Sequence, residues 1–526
     1  MTISSRVIEA NSLNQTQVSS HHLLVFSLIF SVAVVLRLIF FQGYSDSDPG
    51  VYTVLADQFS RGEIHVGPWD GPVHFPVRFA VYVPTALVFK LFGVSELTIA
   101  FVPLLVGIGN MVLAYLIACR LFNPFAGLIS VAVLAVVPSN IVMATTLWPD
   151  PIGTFWANFG VAFLILGYNP DSQYGSIQSV LIWISAGLCF GIAWLGKETV
   201  LYYGPFVAIL LFLQASPRRW SAVTSSLLLV GFTASAVLLA EASIYRAFAD
   251  DWFFHFRSIE ANYKETAVWW FDQSSPYFGW GEGGYAKALL KRLIINGPKA
   301  LLSSFSNLAI FALVALAWAA FTRDRRFFIP GIWLLSLMLV FEFGSTSLFG
   351  YKPLPLWPLS IWERFLYPML LPSAILVGGV LGTLWQAEGA RELRSERKFW
   401  AFILVMALSL SCLRDAGRLM SRPEQVVREI SLRLKDSDLV YTDHRSASTL
   451  VFLRSGKLLP SDSTTVPYEN ISLDALRPGS LVFINKDKLE FLAFSYGYKI
   501  PALVSNPPKT WVNVWSEKGS ALFRVQ

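Results

Sequence analysis

The residues best placed to do chemistry in this chain are carboxylates that follow long apolar segments. Asp46 and Asp48 come directly after the first such segment, and an Asp-Pro pair recurs at Asp150 before a later one. If the apolar segments span a membrane, these carboxylates lie where a helix meets water. A carboxylate at such a boundary can act as a general base towards a hydroxyl group.

The Asp-Pro pairs also have a structural interpretation. Aspartate is favoured at the N-cap of a helix and proline at the first helical position. We therefore expect Asp48 and Asp150 to cap the helices that follow them. Because a carboxylate has about four acceptor positions, capping does not exhaust it, and the functional interpretation stays open.

Cationic side chains at the ends of apolar segments suggest phosphate binding. Arg78, Lys197 and Arg364 each lie at such an end. A charge near a membrane span is costly unless it is paired or borders an aqueous pocket, and both arginine and lysine bind phosphate oxygens. The alternatives are pairing of Lys197 with Glu198 or a distant carboxylate, pairing of Arg364 with Glu363, and simple snorkelling of Arg78.

Metal binding is left undecided by the sequence. His65, His74 and His255 fall in the same loops as the carboxylates, but no spacing among these residues is diagnostic of a metal. We expect each histidine to be a solvated or interfacial loop residue. The metal site is therefore unknown, no cofactor is predicted with certainty, and a divalent ion stays open.

Composition identifies the elements that must position these groups. The chain has 526 residues, of which 54% are hydrophobic and only 14% are charged. Many apolar runs reach the roughly 18–20 residues needed to cross a bilayer. The sequence predicts an all-α polytopic membrane protein. The net charge of +6 encodes topology in such a protein and does not indicate nucleic-acid binding.

The apolar runs predict about eleven transmembrane helices. They fall near 23–41, 99–120, 124–142, 151–168, 178–196, 199–214, 221–245, 298–321, 327–345, 364–386 and 399–413. The segment 79–93 is apolar but short, and we interpret it as a re-entrant or surface-lying helix. The first span then serves as the insertion signal, with no cleaved signal peptide.

Charge bias predicts the topology. The short basic stretches at 216–219, 322–326 and 391–398 are expected in the cytoplasm, together with the N-terminal residues 1–22. With a transmembrane domain over 23–413, this topology places loops 42–98 and 246–297 on the extracytoplasmic side. Loop 246–297 is rich in tryptophan and is interpreted as an interfacial belt, as a lid over the site, or as both.

The C-terminal residues 414–526 differ in composition from the rest. An amphipathic helix is predicted over 422–434, and short apolar runs separated by glycine and proline follow it. This pattern predicts a small extracytoplasmic α/β domain. It contains no nucleotide or metal fingerprint. The three cysteines fall within or at the end of apolar segments and predict no disulfide framework.

Together these segments resemble the GT-C class of polyprenyl-phosphate-sugar-dependent glycosyltransferases, which includes protein O-mannosyltransferases and the aminoarabinose transferases of lipid A. The resemblance spans about 23–386 and depends on the order of several short motifs. They are Asp48-Pro49-Gly50-Val51-Tyr52, Phe89-Lys90-Leu91-Phe92-Gly93-Val94-Ser95-Glu96, Leu147-Trp148-Pro149-Asp150, Gly196-Lys197-Glu198 and Glu363-Arg364-Phe365-Leu366-Tyr367-Pro368. The family's common Asp-Glu pair is Asp48-Pro49 in this chain.

The resemblance implies a hexosyl- or pentosyltransferase that takes its sugar from a polyprenyl phosphate in the membrane. The acceptor would be a hydroxyl of a glycolipid, polysaccharide or protein on the extracytoplasmic face of a bacterial inner membrane, and attack would invert the anomeric centre. Residue by residue, it implies Asp48 as the base with Asp46 as the alternate, and Asp150 as a second acidic position. Arg364, Lys197 and Arg78 would bind the donor phosphate, and Tyr52, His74 and Glu198 are candidate substrate-binding residues.

Two other classes compete with a transferase. A secondary transporter or lipid-linked-sugar flippase is expected to place charges at mid-bilayer on broken, internally repeated helices. Here the candidate charges lie at segment ends and the sequence shows no repeat. A non-catalytic membrane scaffold would keep its function when Asp48 is replaced.

Overall fold

The computed structural model describes residues 20–63, 75–167, 177–214, 220–261, 304–343, 367–386, 424–458, 464–468, 476–486, 488–490, 493, 499–517 and 519–526. These residues cluster into two compact units. The first unit combines 1–41, 64–84 and 102–419, and the second combines 42–63, 85–101 and 420–526.

Long apolar helices dominate the part of the chain that is described. Five of them are long and apolar enough to cross a membrane: Ser20–Ile39, Glu96–Leu121, Ile177–Gly196, Val223–Ala249 and Tyr367–Trp385. The protein is therefore a multi-pass integral membrane protein, as predicted. The figure of about eleven spans stays a prediction.

The helices follow the apolar segments of the sequence closely. In chain order they are α1 Ser20–Ile39, α2 Asp48–Ser60, α3 Phe79–Phe92, α4 Glu96–Leu121, α5 Pro124–Val136, α6 Pro138–Met143, α7 Pro149–Leu166, α8 Ile177–Gly196, α9 Gly204–Gln214, α10 Trp220–Ala249, α11 Ser304–Thr322, α12 Phe328–Phe343 and α13 Leu370–Gln386. A 3₁₀ turn, Glu198–Tyr203, precedes α9, and a second, Arg325–Phe327, precedes α12. The predicted segment 399–413 lies outside the described residues.

One predicted span is not a single helix. The segment 124–142 divides into α5 and α6, because Val137 is extended and Pro138 starts a new helix. Proline has no backbone N–H and disfavours helical geometry in the residue before it, so a helix usually ends there. The prediction of one continuous helix over 124–142 was wrong for this local reason.

Helix pairs in the first unit are packed around one large apolar core. Helix α8 packs between α7 and α10, and α13 packs against α5 and α11. Trp333, Phe341, Tyr203 and Phe206 are among the side chains buried there, and Trp333 stacks on Phe206 with ring centroids 5.2 Å apart. This core fixes the ends of α7 and α8, which carry two of the predicted site residues.

The second unit contains the predicted α/β fold. Its helices are α14 Gln425–Ser431, α15 His444–Ser455 and α16 Ala502–Ser505, and its strands are β1 Val440–Thr442, β2 Thr465–Pro467, β3 Leu481–Asn485, β4 Val512–Glu517 and β5 Ser520–Arg524. The sheet has the order β2-β1-β3-β5-β4. Strand β1 is parallel to β2 and β3, whereas β5 is antiparallel to β3 and β4.

Candidate functional site

The acidic stretch after α1 forms the start of α2, but Asp48 does not cap that helix. Ser47 occupies the N-cap position, and Asp48 lies in the first turn. Likewise, Trp148 is the N-cap of α7, which starts at Pro149 and carries Asp150 in its first turn. The capping prediction was therefore wrong by one or two positions. A first-turn carboxylate still interacts favourably with the positive end of the helix dipole.

Gly50 allows the acidic stretch to fold back on α2. A Cβ at position 50 would lie 2.6 Å from the carbonyl oxygen of Ser45 and 3.3 Å from the hydroxyl of Tyr44. Real Cβ atoms do not approach a backbone oxygen this closely, so only glycine fits. Tyr52, one turn further along, is completely buried, while Asp48 is partly exposed.

Asp46 forms a salt bridge with another residue of the second unit, Lys488. Its Oδ2 lies 2.6 Å from the Nζ of Lys488, and the carboxylate is only 3% exposed. Glu424 is the second carboxylate of this group, with its Oε1 3.8 Å from the same ammonium. Ser45 donates a hydrogen bond of 3.3 Å to Glu424. Two buried carboxylates therefore share one lysine.

The two carboxylates differ in protonation. Burial alone would raise the pKa of Asp46, but the charge of Lys488 and hydrogen bonds from Glu424 and Lys488 hold that pKa below its ordinary value. Burial raises the pKa of Glu424 to about 7, with Lys488 opposing the shift and the Asp46 carboxylate adding to it. Near neutral pH, Asp46 is therefore ionised and Glu424 can carry the proton of the pair.

Arg428 of α14 holds the backbone just before Asp46. Its guanidinium donates to Oε2 of Glu96 at 2.8 Å and to the carbonyl oxygens of Gln42 and Tyr44 at 3.1 and 3.3 Å. Glu96 in turn accepts a 3.2 Å hydrogen bond from the backbone N–H of Tyr44. The stretch that carries Asp46 and Asp48 is thus fixed by charged side chains on both sides.

The first unit holds a second group of predicted site residues. Lys197 forms a salt bridge with Asp150, and both side chains are buried. Arg78 pairs with Glu198, with its Nη2 3.2 Å from each carboxylate oxygen. Oδ2 of Asp150 has no hydrogen-bond partner among the residues that the structure describes.

Two glycines bring Lys197 to Asp150. A Cβ on Gly196 would lie 2.9 Å from the Cα of Gly153, and a Cβ on Gly153 would lie 3.2 Å from the Cβ of Lys197. The backbones of α7 and α8 therefore touch at this point. Since neither backbone can shift without disturbing the core, the salt bridge depends on these small residues.

These pairs bear on the predicted phosphate ligands. Lys197 and Arg78 do lie close to other predicted site residues, but each is paired with a carboxylate, Asp150 or Glu198. A buried ion pair offers much less net positive charge to a phosphate than a lone cation does. Arg364 and His74, the remaining predicted cation and histidine, lie outside the described residues.

One histidine differs from its prediction. His255 was expected to be a solvated or interfacial loop residue, but it is buried and its Nδ1 lies 2.6 Å from Oε1 of Glu241. The ring stacks on Trp194, whose Nε1 donates to the same carboxylate at 3.0 Å. Glu241 lies inside an apolar helix and orders the polar groups around it, which explains the burial. Within the described ranges, no three His, Cys, Asp or Glu residues are grouped so as to hold a metal ion.

Sequence reasoning missed Glu424, Arg428 and Lys488. Arg428 lies on the predicted amphipathic helix, where a charged residue is usually solvated, and Lys488 lies in a polar Asn-Lys-Asp-Lys run. Nothing local marks either residue as the partner of a carboxylate near position 46. Glu96, in contrast, belongs to one of the motifs that indicated the family resemblance.

Comparison with known proteins agrees with these observations. Residues 79–245 match the family model described as dolichyl-phosphate-mannose-protein mannosyltransferase. No curated protein sequence matches the chain. The matched region begins at the first residue of α3, directly after Arg78, and includes Asp150, Lys197 and Glu241.

Solved structures share the fold. ArnT from Cupriavidus metallidurans in the apo state is 15% identical, with a TM-score of 0.52 over 94% of this chain and 97% of that chain. The same protein bound to undecaprenyl phosphate gives 14% identity and a TM-score of 0.54 over the same shares. The archaeal oligosaccharyltransferase AglB from Archaeoglobus fulgidus, in complex with an inhibitory peptide and a dolichol-phosphate, is 13% identical, with a TM-score of 0.52 over 84% and 64%.

The resemblance predicted from the sequence is therefore confirmed. Residues 79–245 match a mannosyltransferase family model, and the solved structures of similar fold are ArnT, once bound to undecaprenyl phosphate, and the oligosaccharyltransferase AglB, in complex with a dolichol-phosphate. At these identities the structural similarity defines the fold, which is that of ArnT with a small C-terminal sheet.

Proposed function

We propose that this protein is a membrane glycosyltransferase that moves a sugar from a polyprenyl-phosphate donor to a hydroxyl acceptor on the extracytoplasmic face. The observation that carries the proposal is the fold shared with undecaprenyl-phosphate-bound ArnT along 94% of the chain. The mannosyltransferase family model supports the same reaction class over 79–245. The acceptor is a glycolipid, polysaccharide or protein, and the sugar a hexose or pentose.

We assign the general base to Asp48. The acceptor hydroxyl gives its proton to this carboxylate while its oxygen attacks the anomeric carbon from the face opposite the phosphate. The bond between that carbon and the phosphate oxygen breaks, and the polyprenyl phosphate leaves with the bonding electrons, so the anomeric centre is inverted. The salt bridge of Asp46 with Lys488, in which the Asp46 side chain is only 3% exposed, supports the choice of Asp48, which is partly exposed.

The other predicted residues take supporting roles in this proposal. The leaving phosphate needs positive charge, for which Arg364 stays a candidate from the sequence alone. Lys197 and Arg78 are bound to Asp150 and Glu198, so they would act as oriented ion pairs and not as lone cations. Tyr52 is completely buried, which favours a packing role over direct substrate contact.

An in vitro transfer assay tests the base. Purified protein is given defined polyprenyl-phosphate sugars and acceptors, and Asp48→Asn and Asp48→Ala are compared with wild type. We expect both variants to lose transfer by about 10² to 10⁴-fold while staying folded, because general-base catalysis contributes that much. Asp57→Asn is the matched control, since Asp57 lies on the same helix and pairs with exposed Arg61 at 3.2 Å; it should keep wild-type rates.

The outcomes separate the alternatives. Normal turnover by both Asp48 variants would contradict the assignment and move the base to Asp46. Failure of the wild type to transfer from any donor, together with substrate uptake into vesicles that contain it, would favour a transporter or flippase instead.

A further inference from the structure

Arg37, near the end of α1, is a buried cation that neither the sequence motifs nor the proposed reaction uses. Its side chain is completely buried. Nη1 donates a 2.9 Å hydrogen bond to the carbonyl oxygen of Ala33, one turn earlier on the same helix. Nε and Nη2 have no hydrogen-bond partner among the described residues. Because the guanidinium is not exposed, snorkelling to water does not explain its position.

The groups that the structure describes around Arg37 are neutral. The phenol of Tyr367 lies in the field of the guanidinium and donates a 2.7 Å hydrogen bond to Oδ1 of Asn140. Asn110 adjoins the same phenol. On the other side, a Cβ at Gly107 would lie 3.8 Å from Nε. No carboxylate pairs with Arg37 in the described part of the chain.

The other buried cations of this unit show what is unusual here. Arg78 is paired with Glu198 and Lys197 with Asp150. An unpaired charge in a membrane interior costs several kcal/mol, and arginine cannot avoid that cost by losing its proton. The two atoms of Arg37 that lack a partner among the described residues, Nε and Nη2, are both hydrogen-bond donors. Within the described ranges, these two donors therefore lack a negative charge and acceptor oxygens.

We propose that Arg37, with Tyr367 and Asn110 beside it, forms an anion site that binds a phosphate group. A guanidinium whose Nε and Nη2 both lack a partner among the described residues presents the two-donor geometry that matches two phosphate oxygens. The source of the phosphate is either a polyprenyl-phosphate headgroup or free inorganic phosphate. Assignment to the lipid rests on the proposed function, whereas binding of a phosphate does not.

Thermal unfolding of the purified full-length protein in detergent tests the site. The probes are undecaprenyl phosphate, undecaprenol, which has the same chain without the phosphate, and inorganic phosphate. We expect undecaprenyl phosphate to raise the Tm of the wild type, undecaprenol not to raise it, and Arg37→Met to abolish the shift. At a hundredfold excess over Kd the shift corresponds to about 2.7 kcal/mol.

The variants distinguish a binding role from a structural one. Removal of an unpaired buried charge should leave the Tm of ligand-free Arg37→Met equal to or above that of wild type. Arg37→Gln replaces the methionine variant if the latter fails to fold. Arg37→Lys keeps the positive charge but not the two-donor geometry of the guanidinium, so it should retain part of the Tm shift. Arg257→Gln, at an exposed arginine paired with Asp251, is the matched control and should keep the full shift.

Each remaining result has one interpretation. A shift given by inorganic phosphate alone and lost in Arg37→Met supports the site with a free anion as its ligand. A full lipid-phosphate shift in Arg37→Met or Arg37→Gln, or no shift with any probe in wild type, would overturn the proposal. A wild type that shows the shift but transfers no sugar would refute the transferase and leave the anion site in place.

Discussion

At the scale of residues, the group formed by Asp46, Glu424 and Lys488 has an unusual charge balance. Two buried carboxylates and one ammonium are neutral together only when one proton is retained. Glu424 is the residue that holds it, with a pKa raised to about 7 by burial. The free energy of unfolding should therefore depend on pH in a range where ordinary carboxylates do not titrate.

The first prediction concerns that response. Because the folded protein binds the proton of Glu424 more tightly than the unfolded chain does, its contribution to stability is greatest at low pH. The contribution falls as pH rises from about 4.5 to 7, between the ordinary pKa and the raised one. Tm measured across pH 5 to 8 should fall less in Glu424→Gln than in wild type.

Glu429→Gln is the control for this experiment, since Glu429 lies on the same helix and contacts only exposed Gln425 in the described structure. It should keep the wild-type pH dependence. An unchanged slope in Glu424→Gln would show that the proton is held elsewhere.

The second prediction concerns Lys488. Replacement by methionine leaves the Asp46 carboxylate buried without its cation, and breaking such a pair costs about 3 kcal/mol. Lys486→Met, which removes an exposed pair with Glu490, should cost below about 0.5 kcal/mol. Chemical unfolding of both variants checks the difference, and the double variant Asp46→Asn, Lys488→Met should cost less than the sum of its single changes. Equal costs for the two lysine variants would contradict the buried pair.

Residue roles were only partly predictable from the sequence. The position of Asp48 at a helix start follows from motifs at the ends of apolar segments, and the same motifs predict that Asp150, Lys197 and Glu198 lie on one side of the membrane. The partner of Asp46 does not, because Lys488 is far away along the chain and its local pattern is that of a solvated residue. Arg37 carries no signal either, since one arginine near the end of an apolar span is normally expected to snorkel.

At the scale of elements, helix positions were the most predictable feature. Each apolar segment up to residue 386 contains helix wherever the structure describes it, because backbone groups in a bilayer must be satisfied within the segment. Boundaries were less certain: the break at Pro138 was overlooked, although proline supplies its local signal. The contact between α7 and α8 could not be anticipated, since glycine alone does not identify the helix it will face.

The third prediction tests that helix contact. Gly196→Ala places a methyl group 2.9 Å from the Cα of Gly153, so α7 and α8 must separate and strain the salt bridge of Asp150 with Lys197. We expect a loss of about 1–3 kcal/mol, measured by thermal or chemical unfolding. Gly231→Ala on α10, where a Cβ meets nothing within 4 Å, is the control and should be neutral or slightly stabilising. Similar stability of the two variants would argue against close packing at Gly196.

At the scale of the whole molecule, the sequence predicted the membrane-protein class and the small α/β domain. Composition and segment length carry those two inferences. What it did not predict is that residues 42–63 and 85–101 would cluster with the C-terminal residues and not with the helices around them. Such long-range association depends on tertiary contacts for which one sequence gives no periodic signal.

The fourth prediction concerns topology. In a background in which Cys119, Cys189 and Cys412 are replaced, a single cysteine at Glu63 should react with a membrane-impermeant reagent added outside the cell. A single cysteine at Ser395, in the basic stretch 391–398, should react only after the membrane is opened, because basic loops stay in the cytoplasm. Labelling of both positions from the same side would contradict the predicted topology.

The salt bridge of Arg428 with Glu96 also constrains the order of events during synthesis. The two residues are 332 positions apart, so the ribosome adds Arg428 roughly 20 to 60 s after Glu96 at typical elongation rates. Throughout that interval the backbone around Tyr44 lacks Arg428, and Asp46 lacks Lys488. A nascent chain that ends before α14 would contain the apolar helices, but its acidic segment would lack the contacts with Arg428 and Lys488. The acidic stretch can therefore reach its final contacts only after the helices that precede α14 have been synthesised.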